Sequence, residues 1–192
     1  GNGIIINTSS AVDKFFKNEY CVNFYTKGAD STPSQGNKFW GKRDNEDGAH
    51  HVEFDAAGGQ VEFCSHDGTS CIGATTAIND DVVHMVTACV NFTGVTKTRS
   101  LWIDAVQEGV GNTPSVVADT EDTLRLGVNQ NARASPLMLI DEWSARNLSY
   151  EKHEIVSLWN NGACVGYYSL SAPAPSSSCT YSGSGDWSIK AS

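Results

Sequence analysis

The feature of this chain that most restricts its fold is a succession of short segments in which apolar and polar residues alternate. Val52 and Phe54 alternate with polar neighbours, and Val61 and Phe63 do so again after a Gly-containing turn. An alternation with a period of two places every second side chain on the same face of a β-strand. Further segments of this kind recur with turn residues about every 8 to 12 residues, which is typical of sandwiches. The pattern predicts an all-β fold of two antiparallel sheets.

One segment has a helical pattern instead. A helix near residues 150–159 places four side chains on a single apolar face, and Ser149 is its expected N-cap: Tyr150, Ile155, Leu158 and Trp159. The length of 192 residues and the apolar content of 40% suit one domain with a core of its own. We predict that residues 1–170 form this domain. Residues 171–192, which are rich in Ser, Pro and Gly, are predicted to be a linker or the start of a following module.

The charge of the chain excludes one class of partner. The formal net charge is -9. Binding a nucleic acid needs a basic face that neutralises phosphates, and no basic cluster is present in the sequence. The sequence also contains no apolar run of the roughly 20 residues that a membrane-spanning helix requires. We therefore expect neither nucleic acid binding nor a direct membrane span.

Cysteines and glycosylation sequons indicate an extracellular or cell-surface protein. Six cysteines occur without the spacing of a metal site, and an even count of this kind favours disulfides in an oxidising compartment. Three Asn-x-Ser/Thr sequons begin at Asn7, Asn91 and Asn147. Each falls at a predicted strand end or helix start, where a glycan would be exposed, although each is equally compatible with an unmodified surface asparagine.

One cysteine pair has a local argument. If Asp67 and Gly68 form a two-residue turn, Cys64 lies directly opposite Cys71 across a hairpin. In that strict register the pair falls at a hydrogen-bonded position, where cross-strand side chains are farther apart than a disulfide prefers. The remaining pairs are expected from strand positions alone, as one of the many connectivities open to six cysteines: Cys21 with Cys89, and Cys164 with Cys179, unless Cys179 pairs elsewhere.

The order of motifs resembles a known family. The segments GNGIIIN, EYCVNFYTKG, SLWIDAV and LIDEWSARNLSYEKHEIVSLWN follow one another as the strands and the helix of laminin-G-like, or concanavalin A-like lectin and glucanase, domains do. The resemblance covers about residues 1–162 and implies a jelly roll of the type found in large multidomain surface proteins. Val83 and His84 stand where the family usually has a Trp-His-His strand. Domains of this family usually bind glycans or proteins, so a glycan or a surface protein is the implied ligand.

Enzymes of this sandwich type need two carboxylates on one strand face. Glu53 and Asp55 have this spacing, but Ala57 stands where a third acid is expected. Asp141 and Glu142 are adjacent, so a regular strand directs them to opposite faces. Because His51 and Glu53 alternate with apolar residues, we interpret them as part of a solvated sheet face. We therefore predict no catalytic residues.

Calcium and glycan sites remain as candidates. Many concanavalin-like domains hold calcium at the rim of the sandwich through carboxylates and carbonyls. Asp141 is the metal-ligand candidate because it lies in the closest motif match, with hydrogen bonds to strand-end amides as the competing interpretation. No other cofactor is expected. Aromatic side chains are available for sugar stacking, although Trp143 and Trp159 lie in apolar surroundings typical of a core: Tyr25, Trp40, Trp102, Trp143 and Trp159.

These patterns favour a non-catalytic extracellular adhesion or glycan-binding module of a larger surface protein. Two alternatives stay open. One is a structural subunit of a surface filament or appendage, which would contact neighbouring modules or subunits. The other is a glycoside hydrolase or polysaccharide lyase of the same fold, because a fold alone does not decide function.

Overall fold

The computed structural model describes residues 4–7, 15–16, 19–28, 38–41, 50–55, 58–64, 70–91, 97–112, 123–127, 138–147 and 150–159. These residues contain eleven strands and the helix α1 (Lys152–Trp159), and Phe15 and Phe16 are helical as well. None of the described helical residues form a helix long and apolar enough to cross a membrane. The strands are β1 (Ile4–Asn7), β2 (Tyr20–Gly28), β3 (Lys38–Gly41), β4 (His51–Phe54), β5 (Gln60–Cys64), β6 (Cys71–Ala77), β7 (Val83–Asn91), β8 (Thr98–Ile103), β9 (Val106–Asn112), β10 (Thr123–Leu126) and β11 (Met138–Arg146).

The described strands form two sheets. The first has the strand order β1-β10-β3-β4-β5-β6, and the second has the order β11-β2-β7-β8-β9. Every strand pair is antiparallel. The prediction of an all-β antiparallel sandwich of two sheets with one short helix is confirmed, and the arrangement fits a jelly-roll-like fold.

The core lies between the sheets and follows the alternation seen in the sequence. Val22 and Phe24 of β2 are completely buried, as are Val61 and Phe63 of β5. Trp40 is also completely buried and packs near Phe63, so this tryptophan is a core residue. Burying apolar side chains from both sheets removes them from water and is the main stabilisation of such a fold.

Helix α1 covers the outer face of the second sheet. Ile155 is its fully buried residue and packs with Tyr25, Met85 and Trp102 of the strands below. The predicted helix near residues 150–159 therefore exists, two residues shorter at its start. Ser149, the expected N-cap, lies outside the described residues.

Strand β9 closes one edge of the sandwich against β6. The carboxylate of Glu108 accepts hydrogen bonds from the backbone N–H groups of Thr75 at 2.7 Å and Thr76 at 2.8 Å, and from both hydroxyls. A Cβ atom built on Gly111 would lie 2.7 Å from Ile72 Cγ2, so only glycine lets the strands approach this closely. The sequence pattern did not predict β9.

Two disulfides join cysteines of the described residues. Cys64 joins Cys71 across β5 and β6, and Cys21 joins Cys89 across β2 and β7. The Cα–Cα distances are 4.0 and 4.1 Å, which are typical of the narrow, non-hydrogen-bonded cross-strand position. The expected conflict between the Cys64–Cys71 pair and its register is therefore absent.

Several predictions fall outside the described residues. They include residues 171–192 and the pair Cys164 and Cys179. Among the sequon asparagines, Asn147 is exposed just after β11, and Asn91 is half-buried at the end of β7. Asn7 ends β1, and its side chain is not described. Glycosylation at these three positions stays a prediction.

Candidate functional site

Most of the residues with unusual backbone conformation lie at one end of the second sheet. The C-terminal end of β2, the loop before β7, the β8–β9 turn and the early part of β11 meet there through the strand register. We call this surface the acidic rim. It consists of Lys27, residues 80–84, residues 104–106 and residues 141–142. It carries five carboxylates against the two basic side chains of Lys27 and His84.

All four described non-glycine residues with left-handed backbone lie in the acidic rim. Their φ angles are 63° for Asp81, 52° for Asp104, 64° for Ala105 and 49° for Glu142. Side chains with a Cβ rarely adopt this conformation, and such strain concentrates at functional sites because the surrounding structure must hold it. Three of these four residues are acidic, so this backbone conformation sets the direction in which three carboxylate side chains leave the chain.

His84 links two parts of the acidic rim. Its Nδ1 lies 2.7 Å from Asp104 Oδ2, and its Nε2 lies 3.1 Å from Asp80 Oδ1. Asp104 Oδ1 also accepts a hydrogen bond from the backbone N–H of Met85 at 2.9 Å. The hydrogen bond with Asp104 raises the pKa of His84 against the opposing effect of burial, with further contributions from the charges of Asp104 and Asp80.

Tyr25 connects the rim to helix α1. Its hydroxyl donates a hydrogen bond to the carbonyl oxygen of Leu158, and its ring stacks with that of Trp159 at a centroid distance of 6.4 Å. Burial, followed by the negative charges of Glu142 and Asp104, raises the pKa of Tyr25 to about 12. The phenol is therefore neutral at physiological pH.

The acidic pair in β11 corrects one expectation. A regular strand would direct Asp141 and Glu142 to opposite faces, but the register of β11 shifts between Asp141 and Ser144, and Glu142 is left-handed. Both side chains are exposed. Partial burial of its carboxyl group, followed by the charge of Asp141, raises the pKa of Glu142 to about 6. The charge of Asp141 therefore affects the ionisation of Glu142, although a regular strand would direct the two side chains to opposite faces.

Asp141 makes a hydrogen bond with a backbone amide, which is the alternative to calcium binding considered from the sequence. Its Oδ1 accepts a hydrogen bond from the backbone N–H of Glu142 at 2.8 Å. Among the described residues, the groups of three side chains close enough to share a metal ion do not include Asp141. Both groups contain Cys64, whose sulfur is in a disulfide and is not a thiolate ligand. Calcium at Asp141 stays a prediction.

The interpretation of His51 and Glu53 as a solvated face was wrong. The exposed fractions are 1% for His51, 6% for Glu53 and 4% for Lys38, which is their neighbour on β3. Lys38 Nζ donates to Glu53 Oε2 at 2.5 Å, and His51 Nε2 lies 3.4 Å from Glu53 Oε1. Burial opposes ionisation of Glu53, but the hydrogen bond from His51 and the charges of His51 and Lys38 outweigh it and lower its pKa to about 2. This carboxylate is a buried structural anion.

The remaining aromatic candidates lie in or beside the two apolar clusters. Trp102 is 8% exposed, and its Nε1 donates to Ser100 Oγ at 3.1 Å. Trp143 and Trp159 are partly buried and pack against the clusters rather than inside them. Among the five aromatic residues considered from the sequence, Tyr25 and Trp102 belong to the apolar cluster against which Trp159 and the rim residues Val83 and Ala105 pack. His84 and Asp104 were missed, because Asp104-Ala105 lacks the glycine that usually marks a hairpin turn.

Comparison with known proteins shows the fold. No family model and no curated protein matches this chain. Among solved structures, the binding domain of botulinum neurotoxin DC in complex with rat synaptotagmin II is similar, with a TM-score of 0.64 and 12% identity over 83% of this chain and 40% of that chain. The same toxin domain in complex with SialylT has a TM-score of 0.63 and 12% identity, covering 83% and 39% of the two chains.

A third similar structure is that of botulinum neurotoxin type C, whose cell entry is described as dependent upon interaction with two ganglioside molecules. Its TM-score is 0.63 at 10% identity, over 83% of this chain and 39% of that chain. This chain thus spans about two fifths of the length of these proteins. At such low identity the likeness concerns the fold alone, and the two neurotoxin DC structures are described as binding domains.

Proposed function

We propose that this chain is a non-catalytic, laminin-G-like module of a larger extracellular or cell-surface protein, and that it binds a glycan or a surface protein through the acidic rim. The observation that carries the proposal is the concentration of every described left-handed non-glycine residue in this one surface. Strain of this kind persists where a defined geometry is needed. The likeness to toxin binding domains supports a binding role through the shared fold.

The composition of the rim suits a hydroxyl-rich ligand. Carboxylates accept hydrogen bonds from sugar hydroxyls, and those of Asp80 and Asp81 are exposed. Val82 and Val106 lie beside them with exposed fractions of 54% and 59%, so an apolar sugar face also finds a contact. Ligand sites commonly combine apolar contacts of this kind with a few polar groups that fix the orientation of the ligand.

The sign of the charge narrows the ligand class. With five carboxylates and two basic side chains, the rim repels anions. We expect a neutral glycan, or a peptide segment that carries Lys or Arg, to bind more tightly than a sialylated glycan.

Two further observations support the remaining parts of the proposal. Glu53, which has the strand position of a catalytic carboxylate, is held ionised by Lys38 and His51 and is 6% exposed. It therefore has neither the access nor the proton affinity of a general acid. The disulfides Cys21–Cys89 and Cys64–Cys71 fit an oxidising, extracellular compartment.

The alternative of a glycoside hydrolase has one specific observation in its favour. Glu142 has a pKa of about 6, which suits a general acid near neutral pH, and Asp141 is an ionisable neighbour. Polysaccharide hydrolysis that disappears in Glu142→Gln, while ligand binding is retained, would establish this second function.

A glycan array probed with the chain in calcium and in chelator tests the proposal. Neutral glycans are expected to bind, and Asp81→Asn combined with Glu142→Gln is expected to weaken binding about tenfold or more through lost charged hydrogen bonds. Glu151→Gln, in the exposed segment before α1 and outside the rim, is the matched control and should bind normally. Loss of binding in chelator alone would support calcium at Asp141. No binding in either condition would reject the glycan proposal and favour a structural subunit.

A further inference from the structure

The imidazole of His84 contacts a carboxylate at each nitrogen. The partners belong to different segments, Asp80 to the loop before β7 and Asp104 to the β8–β9 turn. The His84 side chain is 9% exposed, whereas the exposed fractions of the Asp80 and Asp104 side chains are 50% and 26%. His84 is therefore a bridge between two turns, each of which contains left-handed residues.

The bridge needs a proton to be complete. A carboxylate only accepts hydrogen bonds, so each nitrogen of His84 must donate one. A neutral imidazole has a single N–H, and its second nitrogen would present a lone pair to a negative oxygen. Both contacts can form together only in the imidazolium.

We propose that His84 is a proton-operated latch that holds the loop of residues 79–82 against the β8–β9 turn when the imidazole is protonated and releases Asp80 when it is neutral. Because the acidic rim is also the surface on which we place ligand binding, the affinity of the ligand would follow the same proton. This second clause rests on the proposed function, whereas the latch itself does not.

The geometry decides which contact opens. Asp104 is the less exposed partner and makes the shorter contact with His84, and its other oxygen is held by the N–H of Met85. Asp80 is half exposed, and its Oδ1 is shared between His84 and the N–H of Val82 at 2.9 Å. The single proton of a neutral imidazole therefore stays on Nδ1 beside Asp104, and Asp80 turns toward water.

The acidic rim contains other charged groups besides Asp80 and Asp104. Asp81 lies in the same loop and pairs with Lys27 of β2 at 3.6 Å. Glu142 of β11 and Asp104 both raise the pKa of Tyr25 through their charges, after the larger effect of burial. The pKa of His84 is raised from its usual value of 6.5 by the hydrogen bond with Asp104, which outweighs burial, and further by the charge of Asp104 and the contact with Asp80.

The latch also has a defined stability profile. Since the pKa of His84 is higher in the folded chain than in the unfolded chain, its stabilisation is fully present below pH 6.5 and is lost as the pH rises through the folded pKa. The loop is therefore held when the pH is below the folded pKa of His84 and released when the pH is above it.

Two-bond ¹H–¹⁵N spectra of His84, recorded from pH 5 to pH 9 without ligand, test the latch. Wild type is expected to titrate above pH 6.5 from the imidazolium to the Nδ1–H tautomer, and the amide shifts of Asp81 and Val82 should follow the same midpoint. Asp80→Asn should lower the midpoint by about 0.5 pH unit or more because it removes the anionic partner of Nε2. Asp81→Asn, a neighbouring loop aspartate without a contact to His84, should lower it less.

Several results would overturn the latch. They are a midpoint at or below 6.5, an Nε2–H neutral tautomer, or loop amides that do not move with the midpoint. If Asp80→Asn unfolds, the wild-type tautomer and amide data still decide. Ligand affinity is then measured at both ends of the titration. A titrating latch without any ligand binding would reject only the proposed function, whereas binding without the expected titration would reject only the latch.

Discussion

Single residues in the acidic rim carry strain that a different side chain would relieve. Asp104 and Ala105 both have positive φ, which is the geometry of a type I′ turn between β8 and β9. Asp104 is compensated by its contacts with His84 and Met85, whereas Ala105 has only its apolar packing. The backbone strain of the turn is therefore least compensated at Ala105.

Replacing Ala105 by Gly should stabilise the fold. The left-handed penalty of about 1–2 kcal/mol disappears, and part of the gain is offset by the greater freedom of glycine in the unfolded chain. We expect the free energy of unfolding in urea to rise by about 0.5–1 kcal/mol. The control is Ala77→Gly at the end of β6, which should lower it. A loss of stability in both variants would contradict the strain at Ala105.

The buried charges of the first sheet predict a pH dependence. The pKa of Glu53 is about 2 in the folded chain and 4.5 ordinarily, so its stabilisation is present above pH 4.5 and is lost as the pH falls toward 2. Glu53→Gln should flatten the fall of the unfolding free energy between pH 5 and pH 2. It should also destabilise the chain by about 3 kcal/mol at pH 7, because the buried ammonium group of Lys38 loses the charge of the carboxylate that it contacts at 2.5 Å.

A matched pair of variants separates charge from packing at this position. Glu53→Leu combined with Lys38→Met removes both charges and should recover most of the lost stability. Asp55→Asn, beyond the end of β4, removes one carboxylate outside this ion pair and serves as the control. A double variant as unstable as Glu53→Gln would contradict the ion pair as the cause.

At the scale of elements, strand β9 shows where the sequence pattern fails. Its sequence, VQEGVGN, contains two glycines and polar residues, which are depleted in strands, so no strand was predicted there. The glycines are required by close contact with β6: a Cβ on Gly109 would lie 3.1 Å from the carbonyl oxygen of Gly73. Such a requirement comes from a strand far away in sequence and leaves no local signal.

Gly111→Ala should therefore destabilise the chain, by about 1–3 kcal/mol, because the added methyl group overlaps Ile72 Cγ2. Gly73→Ala is the matched control. It is also a glycine in a strand, but nothing lies within 4 Å of its added Cβ, so it should be neutral or slightly stabilising. Thermal unfolding of the two variants checks the difference, and equal melting temperatures would contradict the close approach of β9 to β6.

For the whole molecule, the sandwich and its helix were predictable because the alternation of apolar residues is imposed by one continuous core. The candidate functional surface was harder to predict from the sequence than the fold was. Asp141 was singled out, but the bulge that turns Glu142 into a left-handed residue has no sequence signature, because glutamate is not favoured in that conformation. The burial of His51 and Glu53 was missed because alternation identifies the face opposite the core without saying whether water reaches it.

The two disulfides should contribute unequally to the stability of the whole chain. Cys21–Cys89 spans 68 residues and Cys64–Cys71 spans 7. On the loop-entropy model, Cys21→Ala with Cys89→Ala should cost about 4 kcal/mol, and Cys64→Ala with Cys71→Ala about 2.5 kcal/mol. Urea unfolding of both double variants at neutral pH measures this. A larger loss for the short loop would show that strain or packing, rather than loop closure, dominates.

The carboxylate of Glu108 has a consequence for chains that are crowded together. An unguarded outer strand offers its N–H groups to a second molecule and starts aggregation. Glu108 occupies the N–H groups of Thr75 and Thr76 at the outer strand β6. Burial opposes ionisation of Glu108, but the hydrogen bonds from Thr76 and Thr75 outweigh this effect and lower its pKa. The carboxylate therefore stays charged in mild acid. Densely packed copies should therefore remain separate molecules even in an acidic environment.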